Sequence, residues 1–275
     1  MKLSEMRQIL AEGGIQLTKS LGQNFLQDAN QLRRIAAAAG LSSGDRVLEV
    51  GPGLGPLTEL LVERTGEVLA IEKDARLVEV LTRRLAKKRN LTLLHADALD
   101  YLKNERRDWS EWKLVANLPY SVGSPILVEL AQARRPPRLM TVTLQLEVVQ
   151  RIVARVGSED YGILTLLVQL NFQPERFFKI PSGSFFPPPD VDSACVTLRR
   201  RVKLLLDHGL QLAFTNIVKR SFSQRRKMMM KLLREDWPAD RVSAAFQAAQ
   251  IPETARAETV SLEQYVTLTR QLSKP

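Results

Sequence analysis

The 275-residue chain has a single cysteine, Cys195, and two histidines, His95 and His208. One thiol excludes an internal disulfide and fits a reducing, cytoplasmic setting. So few sulfur and imidazole ligands cannot build the usual zinc site, and they offer little to histidine-centred nucleophilic catalysis. No metal is expected. Aromatic residues make up only 6% of the chain, and no apolar run nears the ~20 residues needed to span a bilayer. The opening Met1-Lys2-Leu3-Ser4-Glu5 lacks the basic-then-apolar layout of a signal peptide.

A hydrophobic content of 44% is ordinary for a globular protein, but the charge is not evenly spread. Lysine and arginine number 40 against 30 acids, a net +10. Residues 199 to 234 hold eleven basic side chains and one acid, Asp207, so this segment alone equals the whole excess. Concentration of that kind points to a polyanion-binding surface: RNA, DNA or an anionic membrane. Phosphate contacts give affinity and salt dependence, with little sequence choice.

From Arg46 onward, short apolar runs alternate with helical periodicity. Strands are expected at 46–51, 67–72, 91–94, 113–116 and 139–146, with helices between them. This predicts an α/β fold: a doubly wound, mostly parallel sheet. Asp28 is expected to cap an Ala-rich helix that stops at Gly40. Gly162–Leu170 reads equally well as helix or strand. Beyond about residue 200 only helical periodicity remains. The division expected is 1–200 for a catalytic domain, with residues 1–27 covering its ligand site, and 201–275 for a basic helical domain.

The first strand runs into Glu49-Val50-Gly51-Pro52-Gly53-Leu54-Gly55. Glycines such as Gly51 and Gly53 let backbone turn tightly against a ligand. The spacing is not the G-x-G-x-x-G of dinucleotide enzymes, and Pro52 removes an N–H that a pyrophosphate would use. Glu72 ends the second strand, where a carboxylate can accept from ribose hydroxyls. Asp97 follows the third and can accept from an adenine amine. Together they describe an adenosine site, and S-adenosylmethionine matches it better than NAD.

After the fourth strand comes Asn117-Leu118-Pro119-Tyr120. The proline ends the strand and pushes Leu118 to an extended conformation. The Asn117 amide oxygen and the Leu118 carbonyl can accept both N–H groups of an exocyclic amine, while Tyr120 stacks on the ring that carries it.

Gln23-Asn24-Phe25-Leu26, Glu49-Val50-Gly51-Pro52-Gly53, Glu72, Asp97 and Asn117-Leu118-Pro119-Tyr120 resemble the small-subunit ribosomal RNA adenine dimethyltransferases of the KsgA/RsmA type. Further likeness lies in Tyr161-Gly162, Phe185-x-Pro187-Pro188-Pro189-x-Val191-Asp192-Ser193-Ala194, Phe222-x-Gln224-Arg225-Arg226-Lys227 and Arg256-Ala257-Glu258-x-x-Ser261. The resemblance implies that Asn24 and Leu26 cover the cofactor, Gly51 meets its methionine part, Glu72 its ribose and Asp97 its adenine. It implies that Tyr120 and Phe185 sandwich the target adenine, with Asn117 between target and cofactor. It also implies small-subunit ribosomal RNA or a pre-small-subunit particle as partner. No membrane partner is expected, and a monomer is expected. Arg220, Arg225, Arg226, Lys227 and Lys231 are the expected RNA contacts. Hydrogen bonds from the amine to Asn117 and Leu118 would pyramidalise its nitrogen and aim a lone pair at the sulfonium methyl; no strong base is needed. Small Gly123 and Ser124 are expected to leave room for the first methyl during the second transfer.

The chain departs from the family at Ser20, Leu146 and Glu159, where basic residues are usual, and at Val156, where proline is common. These departures bear on RNA contacts of the catalytic domain. The large-subunit enzymes of the antibiotic-resistance (Erm) type share Q-N-F and an N-I-P-Y-like motif, but the F-x-P-P-P-x-V-x-S-A and R-A-E-x-x-S segments favour the small-subunit group. A non-catalytic assembly factor is the third reading, disfavoured by the intact Gly51, Glu72, Asp97 and Asn117.

Overall fold

The structure is a computed structural model describing residues 1, 3–15, 24–105, 107–224 and 226–274. Ser20 and Gln23 lie outside the described residues. Near the N-terminus lie α1 (Leu3–Glu12), the short β1 (Phe25–Leu26) and α2 (Ala29–Ala38). Asp28 caps α2 as expected, its side chain accepting from the Asn30 and Gln31 amides. Gly40 follows that helix at φ 53°. The alternating part comprises β2 (Arg46–Val50), α3 (Pro56–Arg64), β3 (Glu67–Glu72), α4 (Ala75–Arg84), β4 (Leu91–His95), α5 (Ala98–Asn104), β5 (Trp112–Asn117), α6 (Gly123–Gln132) and β6 (Leu139–Gln145). Then come α7 (Leu146–Val153), α8 (Ile163–Gln169), β7 (Phe172–Ile180), β8 (Phe185–Phe186) and β9 (Ser193–Arg200). Four helices follow: α9 (Gln211–Ser221), α10 (Met229–Leu233), α11 (Ala239–Ala248) and α12 (Leu262–Leu272).

The main sheet has seven strands in the order β4-β3-β2-β5-β6-β9-β7. The five from β4 to β6 are parallel neighbours, and β9 runs antiparallel to β6. The mostly parallel α/β sheet expected from the sequence is therefore present. Two strands extend it: β7 and β9 come from segments in which no strand was expected. In β7, Phe172-Gln173-Pro174-Glu175-Arg176-Phe177-Phe178-Lys179-Ile180 has no clean alternation, because an edge strand carries charge and a proline. β9 follows the proline-rich stretch and is buried through six successive positions, so it too lacks a period of two.

Winding reverses between β2 and β5. From β2 the chain moves outward to β3 and β4; from β5 it moves the other way to β6. In open α/β sheets the crevice at such a reversal, outside the strand carboxyl ends, receives ligands. A second, two-stranded sheet pairs β1 with β8, setting Leu26 opposite Phe185 and Phe25 opposite Phe186.

The chain divides into two compact units. The first comprises Met1–Val149 with Pro174–Arg200; the second comprises Gln150–Gln173 with Arg201–Pro275. The division is thus discontinuous, with 150–173 joining the C-terminal helices. Within the second unit Tyr265 is fully buried, and its hydroxyl donates to the Ala257 carbonyl at 3.2 Å. Ser261 caps α12, and Gln264 closes the reciprocal bond of a capping box. The Arg256-Ala257-Glu258-x-x-Ser261 segment therefore includes a helix start and an anchor for a core tyrosine. Among the described residues no helix is long and apolar enough to cross a membrane.

Candidate active site

A cleft of about 290 Å³ opens at the carboxyl ends of β2, β3 and β5. Its floor is the glycine turn between β2 and α3. Gly51 and Gly53 have φ of 68° and 60°, the left-handed region in which a side chain is strained. Space is short for a side chain as well. A Cβ on Gly53 would meet the Phe25 ring at 2.7 Å, and one on Gly51 would meet Pro119 at 3.1 Å. The turn therefore exposes bare backbone to the cleft while Phe25 and Pro119 press against it.

Glu72, at the end of β3, is 7% exposed. Its Oε2 accepts from the Gly53 amide at 3.1 Å, and Oε1 accepts from the Lys73 and Asp74 amides, each at 2.9 Å. Burial raises its pKa against those three donors. Asp97 caps α5 through Oδ1 and holds Lys73 Nζ through Oδ2 at 2.8 Å. The lysine bond keeps its pKa below the usual carboxylate range. Both acids line the cleft.

Across from them stands Asn117, the last residue of β5. Its Nδ2 donates to the Asn24 carbonyl at 3.1 Å. Its Oδ1 is buried with no hydrogen-bond partner. Leu118 is 1% exposed, and its amide donates to the Thr143 carbonyl at 3.1 Å. Tyr120 lines the cleft, and its hydroxyl is hydrogen-bonded to Ser193 Oγ on β9. Burial raises the Tyr120 pKa, with the Ser193 bond opposing. Asn24, Phe25 and Leu26 form the remaining wall, so β1 contributes to the enclosure.

The structure thus gathers Asn24, Leu26, Gly51, Gly53, Glu72, Asp97, Asn117, Leu118 and Tyr120 around one cleft. Phe185 is placed differently. It is 1% exposed and packs in the core with Leu26, Leu32 and Ile35, outside the cleft wall. Its pairing opposite Leu26 turns it into support for β1, so it offers no face to a base here. Gly123 and Ser124 do not line the cleft either. A Cβ on Gly123 would strike Leu144 at 2.5 Å and Leu118 at 3.2 Å, so that glycine is small to seat α6 against its neighbours.

Two residues had no role in the sequence reading. Lys73 neighbours the predicted acid and pairs with the other one. Glu49 lies one residue before the end of β2, is 1% exposed, lines the cleft, and leaves Oε2 without a partner. Burial, with nearby Glu72 adding to it, pushes its pKa up to about 8. An acid inside the apolar strand Arg46-Val47-Leu48-Glu49-Val50 was the available signal.

In the second unit, Arg226, Lys227 and Lys231 are exposed on the turn between α9 and α10 and on α10. Arg225 lies outside the described residues. Arg220 is committed internally: it donates to the Leu232 carbonyl at 3.1 Å and pairs with Glu235 and Asp236 at 2.7 and 2.9 Å. These acids follow the basic segment directly, which is why the local charge count passed over them.

The chain matches the family model for ribosomal RNA adenine dimethylase over residues 14–274. It is 38% identical over 265 residues to the ribosomal RNA small subunit methyltransferase A of Geobacter sulfurreducens, covering 94% of this chain and 96% of that protein. The protein of the same name from Geobacillus thermodenitrificans is 37% identical, with 97% and 94% covered. Among solved structures, the 23S rRNA methyltransferase ErmE aligns with a TM-score of 0.68 at 31% identity, across 91% of this chain and 100% of that one. A dimethyladenosine transferase from Plasmodium falciparum aligns with a TM-score of 0.73 at 23% identity, covering 89% and 95%, a likeness of fold.

Proposed function

The chain belongs to the ribosomal RNA adenine dimethylase family, and from that premise we propose how its cleft carries out the reaction. The protein is an S-adenosylmethionine-dependent rRNA adenine dimethyltransferase acting on small-subunit RNA. Relatives named for the small subunit reach 36–38% identity over nearly the full length, against 31% for the large-subunit enzyme ErmE. We place its targets, by resemblance, at two adjacent adenosines near the RNA 3′ end, methylated during subunit assembly.

The cofactor fits the cleft on chemical grounds. Glu72, Asp97 and Asn117 Oδ1 are acceptors, and the wall between them is largely apolar. Such a set suits a flat, N–H- and O–H-bearing ligand with positive charge. Glu72 would hold the ribose, Asp97 the adenine amine, and the bare Gly51–Gly53 backbone the methionine part, under Asn24 and Leu26. S-adenosylmethionine supplies, when bound, an electrophilic sulfonium methyl.

The observation that carries the reading is the Asn117 amide. Its nitrogen donates to the Asn24 carbonyl, and its oxygen, in a residue that lines the cleft, is buried without a hydrogen-bond partner. A buried acceptor left open costs about 1–3 kcal/mol, which an incoming amine N–H relieves. The Leu118 carbonyl takes the second N–H, and the nitrogen lone pair turns outward from both. Tyr120 supplies a stacking face worth ~1–3 kcal/mol per base. Positioning of this kind can supply ~7–11 kcal/mol of a barrier in good cases. Arg226, Lys227 and Lys231 would hold the RNA backbone.

The test is to incubate the protein with isotopically labelled cofactor and small or large subunits from cells lacking this modification, then map modified adenosines by mass spectrometry. Label on paired small-subunit adenosines is expected. Label confined to large subunits would overturn the assignment.

A further inference from the structure

One acid in the cleft, Glu49, holds no assigned part of the methyl donor. Glu49 forms a section of the wall, is 1% exposed, and leaves Oε2 unpartnered. Its charged neighbour is Glu72 on β3. From α3, Thr58 Oγ1 lies against the carboxyl group and opposes the rise in its pKa. Asn117, across the cleft on β5, is neutral. Lys73, the cation that also lines the cleft, has its Nζ drawn onto Asp97, with the side chain 62% exposed.

The two acids are not equivalent. Glu72 accepts three backbone N–H bonds, which favour its ionised form, whereas Glu49 Oε2 accepts none. A carboxylate in that position either keeps a proton or acquires a positive partner, because an isolated buried charge is too costly. The raised pKa of Glu49 agrees with the first state in the ligand-free cleft.

S-adenosylmethionine is cationic at two places, the sulfonium and the ammonium, and its demethylated product keeps only the second. We propose that Glu49 senses this charge: it carries a proton while the cleft is free of ligand and becomes ionised when a cationic group of the cofactor lies against it. Uptake of the methyl donor then releases a proton from Glu49 to solvent. The inference rests on the reading of the cleft as the donor site. It gives Glu49 a role in cofactor binding that is separate from the amine-holding role of Asn117. Donor affinity rises with pH until Glu49 is ionised in the free protein too, by up to about tenfold per pH unit for one fully coupled proton.

The test is calorimetric titration with S-adenosylmethionine and S-adenosylhomocysteine, in phosphate and in Tris at pH 7. The difference in binding enthalpy between buffers counts protons released. Close to one proton is expected for the donor, absent in Glu49→Gln, which mimics the protonated acid in shape and charge. Release with both ligands assigns the partner cation as the ammonium; release with the donor alone assigns it as the sulfonium. Equal enthalpies in both buffers for the wild-type protein, or an undiminished proton count in Glu49→Gln, would overturn the proposal. The wild-type comparison needs no variant to fold. Absence of any binding heat and of any competition between the ligands would instead sink the donor-site reading itself.

Discussion

The side-chain amide of Asn117 is hydrogen-bonded to the backbone carbonyl of Asn24 at 3.1 Å, across 93 positions of sequence. This bond decides which way the amide is turned. Rotating the amide would set its oxygen against the Asn24 carbonyl, acceptor against acceptor. The N-terminal segment thereby orients a group on the far side of the sequence.

Asn117→Ala should abolish methyl transfer while leaving cofactor affinity within about tenfold, or ~1.4 kcal/mol. Asn117→Asp should also fail, since an ionised side chain loses the donor that Asn24 requires. Single-turnover assays with titration calorimetry check both. Dimethylation retained by Asn117→Ala would refute the role.

Tyr120→Phe removes the partner of Ser193, a fully buried hydroxyl. An orphaned buried hydroxyl costs about 1–3 kcal/mol, so this variant should be less stable than Tyr120→Phe combined with Ser193→Ala. Turnover on RNA should fall more than cofactor affinity, because the ring stays but its tip is untethered. Melting curves for the single and double variants, with kinetics alongside, decide the matter.

Stability of the ligand-free protein should fall as pH rises from about 5 to 8. The folded state binds a proton on Glu49 that the unfolded chain has already lost, since burial lifts this pKa from 4.5 to about 8. Bound protons in excess in the folded state mean stability declines with pH, by up to about 1.4 kcal/mol per unit per site. Glu72 is raised too and adds with the same sign. Asp45 and Asp97 are lowered, so their contribution is lost only in more acid solution. Thermal melts across this range should show a slope that Glu49→Gln reduces. A slope identical in the variant would contradict the assignment.

Replacing Arg226, Lys227 and Lys231 together by alanine should flatten the salt dependence of RNA binding, by about 0.7 to 0.9 in logarithmic slope for each phosphate that the protein no longer neutralises. Arg220→Ala should act differently. Its guanidinium holds Glu235, Asp236 and the Leu232 carbonyl, so the damage should appear in the melting temperature of the free protein. An unchanged salt slope in the triple variant would place the RNA surface elsewhere.

Most of the cleft was legible because its groups sit where strands end, and strand ends announce themselves. Glu72 closes an apolar run, Asn117 precedes a proline, and Gly51 and Gly53 break a strand into a turn. Less legible was whatever depends on pairing across long separations. Phe185 sits in a motif that suggests a stacking ring, yet register with Leu26 buries it; no local pattern carries that register. β7 and β9 escaped for the same reason, since one is an edge strand and the other is covered on both faces. Arg220 looked like a surface cation until folding brought Glu235 and Asp236 against it. Glu49 was visible as a misplaced acid, but its missing partner is a fact of three dimensions.

The pairing of residues 25–26 with 185–186 has a consequence for the order of synthesis. One wall of the cleft is made early in translation and its support is made late. A nascent chain that has exposed the glycine turn, both acids and Asn117 still lacks the strand that holds Phe25 and Leu26 in place. Affinity for the methyl donor should therefore arrive abruptly, once residue 186 has left the exit tunnel.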